Sequence, residues 1–216
     1  MSFKKTFNTL FRHYGPQDWW PGDSPFEIMV GAVLTQNTAW TNVEKAIVNL
    51  LENEALDAEV IVATKMEQLA LWLKPSGYFN IKAKRLKNFC QWYLEQGAYE
   101  QLSTWPTREL RQALLSVNGV GPETADDMLL YAFDRPVFVI DAYTRRLFSR
   151  LGLIEGSETY EALRQSIESG LRRESQRLVL FNEYHALIVR HAKEYCKTTP
   201  RCEACCLNKK CKAFRC

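Results

Sequence analysis

Along most of the chain apolar residues return every three or four positions, the spacing that puts them on one face of an α-helix. Phe3, Phe7, Leu10, Phe11 and Tyr14 follow it at the start, which predicts an amphipathic N-terminal helix. The same spacing runs through residues 26–34, 42–51, 65–73, 80–96, 107–115, 123–133, 142–151, 160–171 and 179–195. Local punctuation agrees: Thr107 opens one of these segments and Pro106 precedes it. One run, PVFVIDAY at Pro136–Tyr143, looks like a strand, but it is too short and isolated to build a sheet. No repeat or low-complexity linker breaks the pattern. The expected fold is all-α, with about nine or ten helices.

Composition narrows the picture modestly. At 216 residues, with 46% hydrophobic and 25% charged positions, the chain suits one large or two small globular domains with a proper core. The longest apolar stretch, Ile28–Leu34, is far too short to span a bilayer. The first helix has no secretory apolar core, so no membrane association and a reducing, cytoplasmic setting are expected. Net charge is only +3, but it is uneven. From Arg190 to Cys216 eight Lys and Arg face two Glu, a net of +6, which leaves −3 on the rest. A basic tail on a slightly acidic body fits a phosphate-binding footprint, although a solvated surface would look the same.

The cysteines are the most lopsided feature. Six of seven fall in the last twenty-one residues: Cys196, Cys202, Cys205, Cys206, Cys211 and Cys216. Four of them read C-x5-C-x2-C-x5-C, at Cys196, Cys202, Cys205 and Cys211. Thiolates this crowded suit a soft metal or an iron–sulfur cluster. Disulfides fit poorly, because the count is odd and Cys90 is the one cysteine elsewhere. Structural zinc usually draws on two C-x2-C pairs, and this tail has one, which favours a cluster and leaves zinc open. Cys206 is an alternative to Cys205.

A second signal lies at Leu114–Phe133, LLSVNGVGPETADDMLLYAF. An apolar helix end meets Asn118, Gly119, Val120 and Gly121, and Pro122 suits the first turn of a new helix. Paired glycines permit a tight turn and close approach of a ligand to the backbone. Amides at such a turn, with the helix end behind them, form a site for a phosphate oxygen. Alanine at Gly121 is expected to crowd that phosphate and to strain a positive φ. By itself the motif could equally be an ordinary helix–helix turn. Nineteen residues past Pro122 comes Asp141, after an apolar run and before the helix at Ala142. As a lone carboxylate it reads as a helix N-cap.

Taken together, the glycine hairpin, the aspartate and the cysteine tail resemble the helix-hairpin-helix DNA glycosylases of the endonuclease III superfamily. The resemblance covers nearly the whole chain and implies a two-lobed all-α fold. One lobe would be a helical barrel of residues 26–135 holding the hairpin. Residues 1–25 with 136–216 would form the other, carrying the aspartate and a 4Fe–4S cluster on Cys196, Cys202, Cys205 and Cys211. Double-stranded DNA with a damaged base would lie across the cleft, its target nucleotide flipped out, and the protein would act as a monomer. The resemblance makes Asp141 the catalytic carboxylate, offsetting the positive charge that grows on deoxyribose and orienting water. It makes Asn118, Gly119, Val120, Gly121 and Thr124 the DNA-binding hairpin, and Gln36 the residue inserted where the nucleotide leaves.

Two departures refine this. The superfamily's lyase branch has a lysine two residues past the second hairpin glycine, and this chain has Glu123, which cannot form an imine. The first cysteine spacing is five residues where the family usually has six. Trp19, Trp20 and Pro21, with Trp40 after Gln36-Asn37-Thr38, resemble the base pocket of the 3-methyladenine glycosylase branch. Indole faces suit a cationic alkylated purine, although Trp19 and Trp20 could equally staple a core. Asn80, Lys82, Lys84, Arg85 and Lys87 are expected to form a basic, DNA-facing or solvated helix face. The implied activity is a monofunctional glycosylase for alkylated purines. An endonuclease III-like glycosylase and lyase for oxidised or mismatched bases, or a non-catalytic DNA-binding iron–sulfur protein, are the rivals.

Overall fold

The computed structural model describes residues 1–19 and 22–215; Trp20, Pro21 and Cys216 lie outside the described residues. Its helices are α1 (Phe3–Tyr14), α2 (Pro25–Leu34), α3 (Trp40–Glu52), α4 (Ala58–Ala63), α5 (Met66–Trp72), α6 (Phe79–Glu95), α7 (Ala98–Leu102), α8 (Thr107–Ser116), α9 (Pro122–Asp127), α10 (Ala142–Leu151), α11 (Tyr160–Gly170) and α12 (Arg177–Glu194). A π-helical turn at Met128–Ala132 continues α9, and no strand occurs among the described residues. The fold is all-α. Helices α4 and α7 match no apolar periodicity because six and five residues are too few to register one.

The chain divides into two compact units, Trp20–Arg135 and Met1–Trp19 with Pro136–Cys216. In the first, α2 is the central element: Ile28 through Leu34 are all buried, and α3, α6, α9 and the π turn pack around it. Ser24 caps its start by accepting from the Glu27 N–H, with Pro25 in the first turn. Helices α8 and α9 are joined side to side by a buried ion pair. Arg111 donates to both Asp126 oxygens, at 2.6 and 3.1 Å, and Asp126 has no exposure. A two-pronged pair of this kind fixes relative orientation as well as adding energy.

In the second unit α12 is the spine. Tyr184 is fully buried and gathers Phe138, Phe148 and Phe7 within 5.9 Å, while its hydroxyl donates to the Phe3 carbonyl at 2.8 Å. Gly170 on α11 lets Phe3 pack so closely that a Cβ there would meet the ring at 2.9 Å. The run Pro136–Ile140 stays extended and unpaired with any strand. Its buried backbone is served by side chains instead: Glu168 accepts from the Phe138 N–H and the Tyr160 hydroxyl from the Ile140 N–H.

Candidate functional site

The hairpin between α8 and α9 is a short turn whose shape depends on one glycine. Val120 N–H donates to the Val117 carbonyl at 3.0 Å, and Gly119 carries φ +103°. A Cβ on Gly119 would lie 2.3 Å from Arg85 Cγ, so both the backbone and the neighbour demand glycine. Gly121 is different from the expectation: its φ is −92°, and nothing lies within 4 Å of an added Cβ. The strained position is Gly119, because the left-handed residue makes the turn and Gly121 only enters α9. The N-cap of α9 is Gly121, which brings no side-chain cap to the amides of the first turn. Asn118 is exposed, whereas the side chains of Val120 and Thr124 are 6% and 4% exposed and face inward. Contacts from those two positions would come from backbone.

Gln36 is bound into this turn. Its Nε2 donates to the Gly119 carbonyl at 3.1 Å and to Thr124 Oγ1 at 2.9 Å, and its Oε1 accepts from Arg85. Each end of the amide is therefore engaged, and insertion into a duplex would have to release these bonds. Asn88 adds a brace, donating to the Asn118 carbonyl at 3.1 Å. The anticipated basic face of α6 needs correction. Lys82 is 1% exposed, and its Nζ donates to the carbonyls of Leu34 (2.8 Å) and Ser76 (2.6 Å). Lys87 donates to the Val62 carbonyl, and Arg85 serves Gln36. These amines end helices and hold loops, which alternating exposure along a helix could not reveal; of the five residues only Asn80 and Lys84 are exposed. Burial, with Arg85 close by, lowers the Lys82 ammonium to about 8.

Trp40 opens α3 and is half-buried, its six-membered ring set against Gly31 of α2, where a Cβ would meet it at 3.1 Å. Trp20 and Pro21 lie outside the described residues. Trp19 stands in the other unit with its indole 5.9 Å from the His185 ring.

Asp141 ends the extended run and caps α10. Its Oδ1 accepts from the Thr144 N–H at 2.6 Å, and its Oδ2 stands 3.5 Å from His185 Nε2. Burial pushes this carboxyl up, but His185 and the Thr144 amide outweigh that and hold it below the ordinary carboxylate range. Asp141 is thus a cap and a charged, partly buried carboxylate at once. His185 was not legible in sequence: a histidine among the apolar residues of α12 reads as core, and nothing local points to a partner forty-four positions earlier.

The tail forms a third locus. Cys196, Cys202, Cys205 and Cys211 line one cavity of about 50 Å³, closed by Leu147 and Leu151 of α10 and Leu207, and Cys206 is not among its lining. Arg150 donates to Cys196 Sγ at 3.3 Å and to the Lys197 and Thr198 carbonyls; Arg146 donates to the Cys196 carbonyl. Burial lowers His191 to about 4, so the ring is neutral. Burial and Glu194 keep the Tyr14 phenol protonated. The Tyr14 hydroxyl and His191 Nδ1 are 2.9 Å apart and Nε2 is 3.4 Å from Cys205 Sγ, the direction of each bond following the tautomer of the ring. Burial raises the Cys205 thiol, and charge on Cys196, Cys211 and Cys202 would raise it further. Four thiolates here therefore need a cationic centre to coexist. Among the described residues no three His, Cys, Asp or Glu side chains form a group that could hold a metal ion. One zinc would bring its sulfurs to 2.3 Å from a common point. Four cysteines around one cavity are donors of the kind that soft metals and iron–sulfur clusters take.

The pattern of the HhH-GPD superfamily, base excision DNA repair proteins, matches residues 30–173. A predicted DNA repair glycosylase of Methanocaldococcus jannaschii is 43% identical over 210 residues, covering 96% of this chain and 94% of its own. Endonuclease III of Thermotoga maritima is 28% identical over 195 residues, covering 88% and 84%. The H. pylori 3-methyladenine DNA glycosylase, solved bound to 1,N6-ethenoadenine, superposes with a TM-score of 0.79 at 29% identity, over 90% of this chain and 98% of that one. A non-covalent endonuclease III–DNA complex shares the fold, with a TM-score of 0.81 at 20% identity over 98% and 94%.

Proposed function

This chain belongs to the HhH-GPD superfamily of base excision DNA repair proteins and is a DNA glycosylase; we propose that it is monofunctional and removes alkylated purines of the 3-methyladenine type. The observation that carries this reading is a charged Asp141 in a chain whose hairpin offers exposed Glu123, with no amine, at the lyase position. The substrate class is supported by likeness to the H. pylori enzyme and by Trp19 and Trp40, which the sequence resemblance assigns to a base pocket.

In this mechanism the hairpin amides of residues 118–121 and the start of α9 hold phosphate, and Gln36 fills the place of the flipped nucleotide. The C1′–N bond breaks with its electron pair leaving on the base. A 3-methyladenine cation departs as neutral base, so no strong acid is needed. Asp141 offsets the positive charge on the sugar and takes the proton of the attacking water, giving an abasic site. Cys196, Cys202, Cys205 and Cys211 would hold a 4Fe–4S cluster as structural support for the basic tail. When bound it supplies iron–thiolate bonds that cross-link the tail.

The test is excision from duplexes bearing 3-methyladenine, 7-methylguanine, hypoxanthine, thymine glycol or mismatched thymine, with and without alkali. Release of 3-methyladenine, with strands breaking only after alkali, is expected. Efficient borohydride trapping of the wild type would favour the endonuclease III-like reading instead. Cys205→Ser should lose iron and sulfide while Cys206→Ser keeps both; stoichiometric zinc without iron would refute the cluster.

A further inference from the structure

The two oxygens of Asp141 are held by different parts of the chain. Oδ1 is fixed by the Thr144 amide of its own helix, whereas Oδ2 faces His185 on α12. His185 is 5% exposed, and the Trp19 indole lies 5.9 Å from its ring, tilted by 49°. Its neighbour Tyr184 pins the same turn of α12 to the Phe3 carbonyl of α1. The imidazole is therefore held in place by packing that the carboxylate does not provide. At 3.5 Å the contact is long for a hydrogen bond, as catalytic contacts often are before substrate binds.

We propose that His185 is a positioning residue for Asp141, setting the plane of its carboxylate and opposing the loss of its charge in a buried site. The inference rests on the glycosylase reading, in which Asp141 must face the sugar as an anion. Two charged groups on the packed elements are engaged elsewhere. Arg145 of α10 donates to the Glu158 carbonyl, and Glu183 of α12 accepts from the Gln17 N–H, with Asp18 beside it. His185 is the charged or titratable partner that acts on Asp141, alongside the Thr144 amide. A carboxylate left there with its own helix alone would feel burial without that opposition.

The experiment compares wild type, His185→Gln, His185→Leu, Asp141→Asn and the Asp141→Asn/His185→Leu pair. Carboxyl 13C NMR of DNA-free protein follows Asp141, identified by its loss in Asp141→Asn, and single-turnover excision is followed across pH. His185→Leu should move the Asp141 titration and the acid limb of excision to higher pH. Its rate should fall on the order of 10- to 10²-fold, as misplacement of a reacting group does, with duplex affinity unchanged. His185→Gln, which keeps size and a donor, should recover most of the rate and controls for folding. In the Asp141→Asn background His185→Leu should cost nothing further. An unmoved Asp141 titration, or an equal loss in that background, would overturn the proposal. If wild type excises none of the bases, the glycosylase reading fails while the NMR titration still decides the pair.

Discussion

The hairpin and the Asp141 locus solve opposite problems with opposite means. The hairpin is suited to presenting backbone, with the side chains of Val120 and Thr124 facing inward. Gly119 makes the bend, Gln36 and Asn88 fasten its carbonyls, and Arg111 and Asp126 lock its two helices. Nothing there depends on the charge of one exposed group. Asp141 carries a carboxylate in a partly buried place, with an amide from its own helix and an imidazole from another beside it. A backbone device tolerates loss of one polar contact, whereas a buried charge does not.

Asp141→Asn breaks this contrast most sharply. The amide keeps the shape and most of the cap but loses the charge, so excision should fall about 10²–10³-fold. Duplex affinity should change little, since the hairpin is untouched; competition binding alongside single-turnover kinetics checks both. Stability should also respond to pH. The folded Asp141 carboxyl lies below its ordinary value, so its contribution is present above about pH 4 and is lost as pH falls through the folded value. Wild-type excision by Asp141→Asn would reduce this residue to a cap.

Glycine substitutions sharpen the other side. Gly119→Ala places a side chain at φ +103° and against Arg85, so strain of about 1–3 kcal/mol is expected. Arg85 must then move, and with it the acceptor side of Gln36. DNA affinity should drop and lose part of its salt dependence. Gly121→Ala has open space and an ordinary φ, so the fold should absorb it; any affinity lost there reports phosphate contact alone. Equal unfolding curves for Gly119→Ala and wild type would contradict the assignment.

What the sequence made legible follows the range of the interaction. Helices of ten residues or more announced themselves by periodicity, and the cysteines and hairpin by spacing, because their partners are neighbours in the chain. The positive φ at Gly119 rather than Gly121 was hidden, since both glycines satisfy the same turn pattern. His185 and Lys82 were hidden for another reason. Both sit on helices where a polar residue has an unremarked role, and their partners, Asp141, Leu34 and Ser76, are joined to them by folding. No local rule separates Lys82 from exposed Lys84.

Lys82 gives the smallest and most discriminating effect. Its amine spans the end of α2, two residues before Gln36, and Ser76. Two donors suffice for those bonds, so a neutral amine can hold both carbonyls. Lys82→Met would leave them unpaired while removing a buried charge, a net loss of about 1 kcal/mol. The sign with pH is distinctive. The folded amine titrates near 8, below its unfolded value of about 10.4, so between these the unfolded chain binds the extra proton. Stability contributed by this group therefore rises with pH across that window. Urea melts at pH 7 and pH 9.5 should show the gap between wild type and Lys82→Met widening at the higher pH. A gap that narrows would mean that Lys82 is held charged by its carbonyls, and that the brace beneath Gln36 is an ammonium instead.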